Sequence, residues 1–521
     1  MYSKIIKNGT IIDGTGRPAF KADIAIEQER IVQIGNLQKA NAEEIYDASG
    51  KYVVPGFVDI QNHSDVYWTI FDNPSLDSLV AQGITTAIIG NCGASLAPLL
   101  SRDALLSIQK WHNLEGVNFN WLTFEEYLNE LSKRNFGVNI GSLVGYSTLR
   151  RGLVKDEVRS LKPEEMVVLI HALEQSLKAG AFGLSSGLSY AHEAAIASDE
   201  LFTLSETLKK HKAMLAVHLR SEANELLESI SEALNLSEKT GVNLKISHLK
   251  VRNKENWHLF DDALHMFENA FQKGMNVHFD VYPYDFVWQV LYTYLPKWSY
   301  EGGREAMLRH LKDPVERGKI KGYLQSKDID YASIFIAGTT MSLNVNGKTL
   351  SEIAQRQGVD VEDALLNIVE KGGSEVLVFE RNLDQKQVES FLAHALGIIA
   401  TDGAGFALKG RESLVHPRCF GSMPKFLSLV LKNNLCSIEQ AIKKMTSMPA
   451  EKVGLSHRGS LKVDNYADIV VFNKDINSKA NFSNPFQQAS GIDLVLVNGH
   501  KALVNGELTQ KLSGRVLRKH L

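Results

Sequence analysis

The chain has 521 residues, 44% of them hydrophobic and 22% charged, values that exclude long disorder, collagen-like repeats and coiled coils. With 57 basic against 60 acidic side chains the formal charge is −3, so no cationic surplus exists to neutralise a phosphate backbone and nucleic acid is not an expected partner. Three cysteines cannot form a disulfide framework, and without an export-signal pattern or an apolar run long enough to span a bilayer, the expectation is a cytoplasmic protein with no membrane partner.

At roughly 150 residues per domain the length implies two to four domains, a catalytic barrel counting as one large one. Residues 1–54 read as short strands, Ile5 to Ile12, Ala22 to Ile26, Ile31 to Ile34 and Lys51 to Val54, with Asn8-Gly9 and Asp13-Gly14 as turn signals. Further on, apolar runs end at Ile60 and Ile89. Pro163 then opens a predicted helix whose Val167, Ile170, Leu173 and Leu177 recur at helical spacing up to Gly180. A strand from Ala181 to Ser185 follows, then a helix Asp199 to His211, a strand Met214 to His218 and a helix Ala223 to Lys239. A strand Val242 to His248, a helix Asp261 to Lys273 and a strand Met275 to Val281 continue the rhythm. Repeated βα units imply a parallel sheet buried on both faces, doubly wound or closed into a (β/α)8 barrel. Periodicity does not choose between the two.

From about 284 to 351 the alternation breaks into a segment rich in aromatics, Trp288, Tyr292, Tyr294, Trp298 and Tyr300. It reads as an insertion that covers a site or as ordinary aromatic packing. The last stretch, 458–521, returns to β character in Ala467 to Phe472 and Leu494 to Val497, with turns at Asn498-Gly499 and Asn505-Gly506. The expected division is therefore 1–54 plus 458–521 as a composite β unit around a middle domain of 55–457.

Candidate chemistry gathers at predicted strand ends. His63 follows Phe57 to Ile60, Cys92 follows Thr86 to Ile89, His218 and His248 close their strands, and Asp402 ends Leu396 to Thr401. In barrels those ends form the active face. His218 and His248 lie one βα unit apart, so neighbouring strands would present both to one metal. Taken singly, each has a plainer reading. A histidine near an apolar strand is usually a hydrogen-bonded core residue, a cysteine a small buried hydrophobe, and an Asp before Gly a turn or cap. Cys92, His218, His248 and Asp402 falling together at strand ends is the signal.

Beyond the residues themselves, the sequence resembles the N-acyl-D-amino-acid deacylases of the amidohydrolase superfamily. The resemblance rests on Val54-Pro55-Gly56-Phe57-Val58-Asp59 leading to His63, Gly90-Asn91-Cys92-Gly93-Ala94-Ser95 and His218-Leu219-Arg220-Ser221-Glu222. It continues in Ser247-His248-Leu249-Lys250, Asp280-Val281-Tyr282-Pro283-Tyr284, Thr401-Asp402-Gly403, His416-Pro417-Arg418 and Ala467-Asp468-Ile469-Val470. It implies a zinc-dependent (β/α)8 barrel of the TIM type, a small β-sandwich built from both chain ends and an inserted segment near the site. By the same resemblance Cys92, His218 and His248 hold a tight Zn2+, Asp402 is the acid and base, and Arg418, Lys250, Tyr190 and Tyr282 hold the substrate carboxylate. The implied reaction removes the acyl group from a small-molecule N-acyl-D-amino acid.

Two departures stand out. Where the family carries His-x-His on its first strand this chain has Gln61-Asn62-His63, and an amide oxygen from Gln61 would suit harder ions than Zn2+, which argues against a second metal position at His63. Tyr146 and His192 also differ locally and bear on specificity. Another amide substrate, such as a cyclic amide or acyl peptide, and a scaffold that has lost its catalysis are the alternative readings. Acyl length, side-chain preference and oligomeric state stay open.

Overall fold

The computed structural model describes residues 1–101, 104–105, 119–155, 157, 159–194, 196, 198–338, 345–409 and 414–520. The segment 339–344 of the predicted insertion lies outside the described residues.

Parallel strands in eight positions form the expected barrel. The first, Phe57–Asp59, pairs with Ile84–Ile89, which pairs with Asn139–Ser142. That third strand runs on through Leu143 into Val144–Gly145, which pairs with Gly183–Gly187. Met214–His218, Asn243–Ile246, Val277–Val281 and Gly397–Ile399 follow in order, each parallel to its predecessor. A parallel bridge between Asn62 and Gly403 brings the eighth strand back to the first. Every residue of Ile84–Ile89 is buried, as a strand covered on both faces requires.

The connecting helices supply the outer layer. Pro163–Lys178 starts on a proline, whose missing N–H costs nothing at the first helical position. Its buried face is Leu169, Leu173, Ser176 and Leu177, whereas Val167 is 66% exposed. The predicted stripe was thus correct at Leu173 and Leu177 but set on the wrong face at its start.

Both chain ends meet in one nine-stranded sheet, joined where Tyr52–Pro55 runs antiparallel to Ile469–Asn477. Asn498-Gly499 and Asn505-Gly506 are tight turns with positive φ at both residues, 49° and 76° in the first, 51° and 81° in the second. Asn8-Gly9 is not a turn. It lies inside Tyr2–Ile11, at a shift of register against Phe20–Glu27.

Between the seventh and eighth barrel strands the chain builds a further layer. Phe286–Val290, Leu377–Arg381 and Ile334–Gly338 form an antiparallel sheet. It packs with helices Gly303–Lys312, Pro314–Gln325, Leu350–Gln357 and Val361–Gly372 over a separate core that includes Leu311, Ile320 and Leu365. This sheet recruits a strand well past residue 351. Among the described residues, no helix is long and apolar enough to cross a membrane.

Candidate metal centre

The chain turns sharply where it leaves the barrel strands, and the predicted site residues stand at those turns. Cys92, His248 and Asp402 have left-handed backbone, with φ of 52°, 38° and 48°, a conformation that costs a non-glycine residue about 1–3 kcal/mol and persists only when neighbours enforce it. The enforcing bonds are visible. Asp280 Oδ1 accepts the His248 N–H at 2.7 Å. Asp59 accepts the Thr401 N–H at 3.0 Å and its hydroxyl at 2.6 Å, just before Asp402. Around Cys92, Ser185 Oγ donates to the Gly90 carbonyl at 2.6 Å and accepts the Gly93 N–H at 3.0 Å. Gly90 has φ 78°, and a Cβ there would run into the Leu143 carbonyl oxygen, so glycine is required.

These turns bring the four principal residues together. Candidate ligand atoms of Cys92, His218 and His248 lie within 4.8 Å of one another, and so do those of His63, Cys92 and Asp402. Cys92 Sγ is 3.4 Å from His248 Nε2 and 3.9 Å from His63 Nε2. The His218 and His248 rings meet edge to face at 4.3 Å. On the far side of His248, Nδ1 lies 3.0 Å from Glu222 Oε1 and 2.7 Å from Lys250 Nζ. The Glu222 carboxylate favours a hydrogen on Nδ1, whereas the Lys250 ammonium, which offers donors only, opposes it.

Charge follows from this packing. Burial pushes the Cys92 thiol up, but the charge of His248 and the imidazoles of His218 and His63 outweigh it and hold the thiol well below its usual range. Asp402 is also held well below the usual carboxylate range. Burial acts against that, and the Arg418 charge, the His248 charge and the His63 hydrogen bond prevail. Its Oδ2 pairs with Arg418 Nη1 at 2.8 Å and its Oδ1 with His63 Nε2 at 3.0 Å.

A thiolate with two imidazoles is a donor set that zinc takes readily, three protein ligands leaving a fourth position for substrate or water. The fit has a second mark. His218 Nε2 meets Ser189 Oγ at 2.8 Å, while Nδ1 is buried and has no hydrogen-bond partner among the described residues.

Gln61 behaves differently from the sequence expectation. Its amide oxygen does not face the site. Nε2 points at Cys92 Sγ, 3.1 Å away, and the oxygen accepts from Lys245, a residue the sequence reading did not single out. Lys245 pairs in turn with Asp280 Oδ2 at 2.6 Å.

The predicted substrate residues line the same rim. Lys250 Nζ donates to Glu222 Oε1 at 2.6 Å and to the His248 carbonyl at 2.8 Å. The Tyr190 ring lies 5.2 Å from that of His218. Arg418 stacks on Tyr282, 4.6 Å from its centroid, and near Trp288 at 5.7 Å. Arg418 Nε, the Tyr282 hydroxyl and Trp288 Nε1 are buried donors with no hydrogen-bond partner among the described residues. Burial holds the Tyr282 hydroxyl in its protonated form. Tyr146, by contrast, is buried and donates to Glu200. His192 is buried nearby, its carbonyl 3.5 Å from Arg150 Nη1.

Comparison with known proteins adds an independent finding. Two profiles of the amidohydrolase family match residues 44–250 and 301–502. An N-acyl-D-aspartate deacylase of Alcaligenes xylosoxydans xylosoxydans is 30% identical over 98% of this chain and 94% of its own length. Among solved structures, an N-acyl-D-glutamate deacylase from Bordetella bronchiseptica, complexed with zinc and a phosphonate mimic of the tetrahedral intermediate, superposes with a TM-score of 0.83 at 27% identity and 99% coverage of both chains. A D-aminoacylase superposes with a TM-score of 0.84 at 27% identity, covering 100% of both chains. Its binuclear metal centre is characterised by one-metal activation and second-metal attenuation.

Proposed function

The chain belongs to the amidohydrolase family, in its N-acyl-D-amino-acid deacylase group, and we infer from that membership that it hydrolyses N-acyl-D-amino acids to a carboxylate and a free amino acid. The observation that carries the reading is the proximity of Cys92, His218 and His248 to one another, with Asp402 beside Cys92. A scaffold has no chemical need to keep these groups together.

We assign one tight Zn2+ to Cys92, His218 and His248. Bound there, it supplies Lewis acidity toward the amide carbonyl and lowers the pKa of water. Asp402 takes the proton of the attacking water and delivers it to the leaving nitrogen, since an amine anion is too basic to depart unprotonated. Arg418, Tyr282, Lys250 and Tyr190 hold the substrate carboxylate. Arg418 Nε and the Tyr282 hydroxyl are donors without an acceptor among the described residues, and a carboxylate supplies acceptors for them. Arg418 is also the largest charge holding Asp402 acidic. A substrate carboxylate that shares Arg418 therefore makes Asp402 a better base at the moment one is needed.

Residues 1–54 with 458–521 are read as one composite unit and 55–457 as the catalytic barrel, a division supported by the strand pairing of Tyr52–Pro55 with Ile469–Asn477. Three unpaired cysteines accord with a cytoplasmic location. The function is tested by assaying purified protein against matched N-acetyl-D- and N-acetyl-L-amino acids. Hydrolysis confined to the D series is expected. Turnover of the L series alone, or of neither, contradicts the reading.

A further inference from the structure

The first-strand side of Cys92 holds a group of buried side chains that the catalytic reading leaves unused. Lys245 sits inside the sixth barrel strand, completely buried. Its ammonium donates to the Gln61 amide oxygen and to the Ile60 carbonyl at 3.4 Å, and it is ion-paired with Asp280 Oδ2 at 2.6 Å. The orientation of Gln61 follows from this contact, because lysine offers donors only. With its oxygen turned to Lys245, Gln61 presents an N–H to Cys92 Sγ at 3.1 Å. Asp280 locks the arrangement from behind, since its other oxygen accepts the His248 N–H at 2.7 Å.

Cys92 is the one member common to both donor clusters, Cys92, His218, His248 and His63, Cys92, Asp402. For the second cluster to hold a cation, its sulfur would have to bridge two ions. The Gln61 N–H instead occupies the sulfur from the first-strand side. The remaining carboxylate of that cluster is already paired with Arg418 at 2.8 Å and hydrogen-bonded to His63 at 3.0 Å. Lys245 thus fixes the Gln61 amide with its N–H on the sulfur, and Arg418 holds the Asp402 carboxylate, so two of the donors a second cation would need are already engaged.

We propose that Lys245 and Gln61 replace a second metal ion in this chain: the buried ammonium, relayed through the Gln61 amide to Cys92 Sγ, restricts the site to one cation. The inference rests on the assignment of zinc to Cys92, His218 and His248. Lys245 and Gln61 are positioning residues, touching neither substrate nor the reacting atoms. Because the second position is closed, the enzyme tolerates excess zinc without the attenuation that characterises the binuclear D-aminoacylase.

The test is metal content rather than activity alone. Chelator-stripped protein is dialysed against rising Zn2+, and bound metal is measured by elemental analysis. Wild type is expected to saturate at about one ion per chain, as a single three-ligand site does, and Gln61→His alone to stay there because Lys245 remains. Gln61→His combined with Lys245→Met and Asp280→Asn, which removes the ammonium without stranding its carboxylate, is expected to take up a second ion and to lose activity in excess zinc. Two ions in wild type overturn this inference and leave the three-ligand assignment intact, whereas no ion in wild type removes both. Failure of a folded triple variant to gain an ion also overturns it. Should the triple variant not fold, the cobalt-substituted Gln61→Leu protein decides. Loss of the N–H bond makes the sulfur a better electron donor and shifts the thiolate-to-cobalt charge-transfer band to lower energy. An unshifted band contradicts the relay.

Discussion

On one side of Cys92 stand His218 and His248, and on the other stand Gln61 and His63. Both sides present imidazole and buried polar groups to the same sulfur, yet their surroundings differ in charge. Behind His248 lies Glu222, an acceptor 3.0 Å from Nδ1. Behind Gln61 lies Lys245, a cation that turns the amide so that it gives a hydrogen to the sulfur. His63 is likewise engaged, with Asp402 at 3.0 Å. The difference teaches that a residue's capacity to bind metal is decided by the group behind it as much as by its own donor atom.

Replacing the shared sulfur should have the largest effect. Cys92→Ala is expected to lose both retained zinc and measurable turnover, shown by elemental analysis beside a hydrolysis assay. Retention of stoichiometric zinc would move the metal away from Cys92. Next comes Asp402→Asn, which lies on the His63 side. It should keep its zinc and lose about 10²- to 10⁴-fold in kcat, the range for removing a general acid and base. Loss of zinc along with turnover would make Asp402 a ligand of the tight ion and blur the two sides into one.

How much of this was legible in the sequence depends on what each residue needed in order to be seen. Cys92, His218, His248 and Asp402 each close an apolar run, so their position on the rim follows from strand direction alone. Lys245 and Asp280 were equally visible. A lysine at the centre of Val242-Asn243-Leu244-Lys245-Ile246 and an aspartate in Phe279-Asp280-Val281, both in strands buried on two faces, require an opposite charge, and neighbouring strands supply it. What the sequence could not display is the amide orientation of Gln61, which depends on a contact with a residue 184 positions away. The reach of the inserted sheet to Leu377–Arg381 was hidden for the same reason, since the strand it pairs with, Phe286–Val290, lies far back in the chain. Ala42–Asp47 escaped notice because its mostly polar, exposed run joins the sheet in parallel with Tyr2–Ile11.

Two smaller effects sharpen the comparison. Arg418→Leu is expected to raise KM for an N-acyl-D-amino acid about 10- to 100-fold, the equivalent of losing a charge-assisted hydrogen bond of about 1.5–3 kcal/mol. An unchanged KM would detach Arg418 from the substrate carboxylate. Glu222→Gln acts on the opposite side. It should weaken zinc affinity by about 10- to 100-fold, as loss of a carboxylate behind a ligating histidine does, and competition with a chelator reads it directly. Unaltered affinity would show that Lys250 alone orients His248.

Anomalous diffraction at the zinc edge, from crystals of the wild-type protein grown with zinc, tests the central claim most directly. One peak is predicted, enclosed by Cys92, His218 and His248. A peak centred between His63 and Asp402, or none on this rim of the barrel, would contradict it.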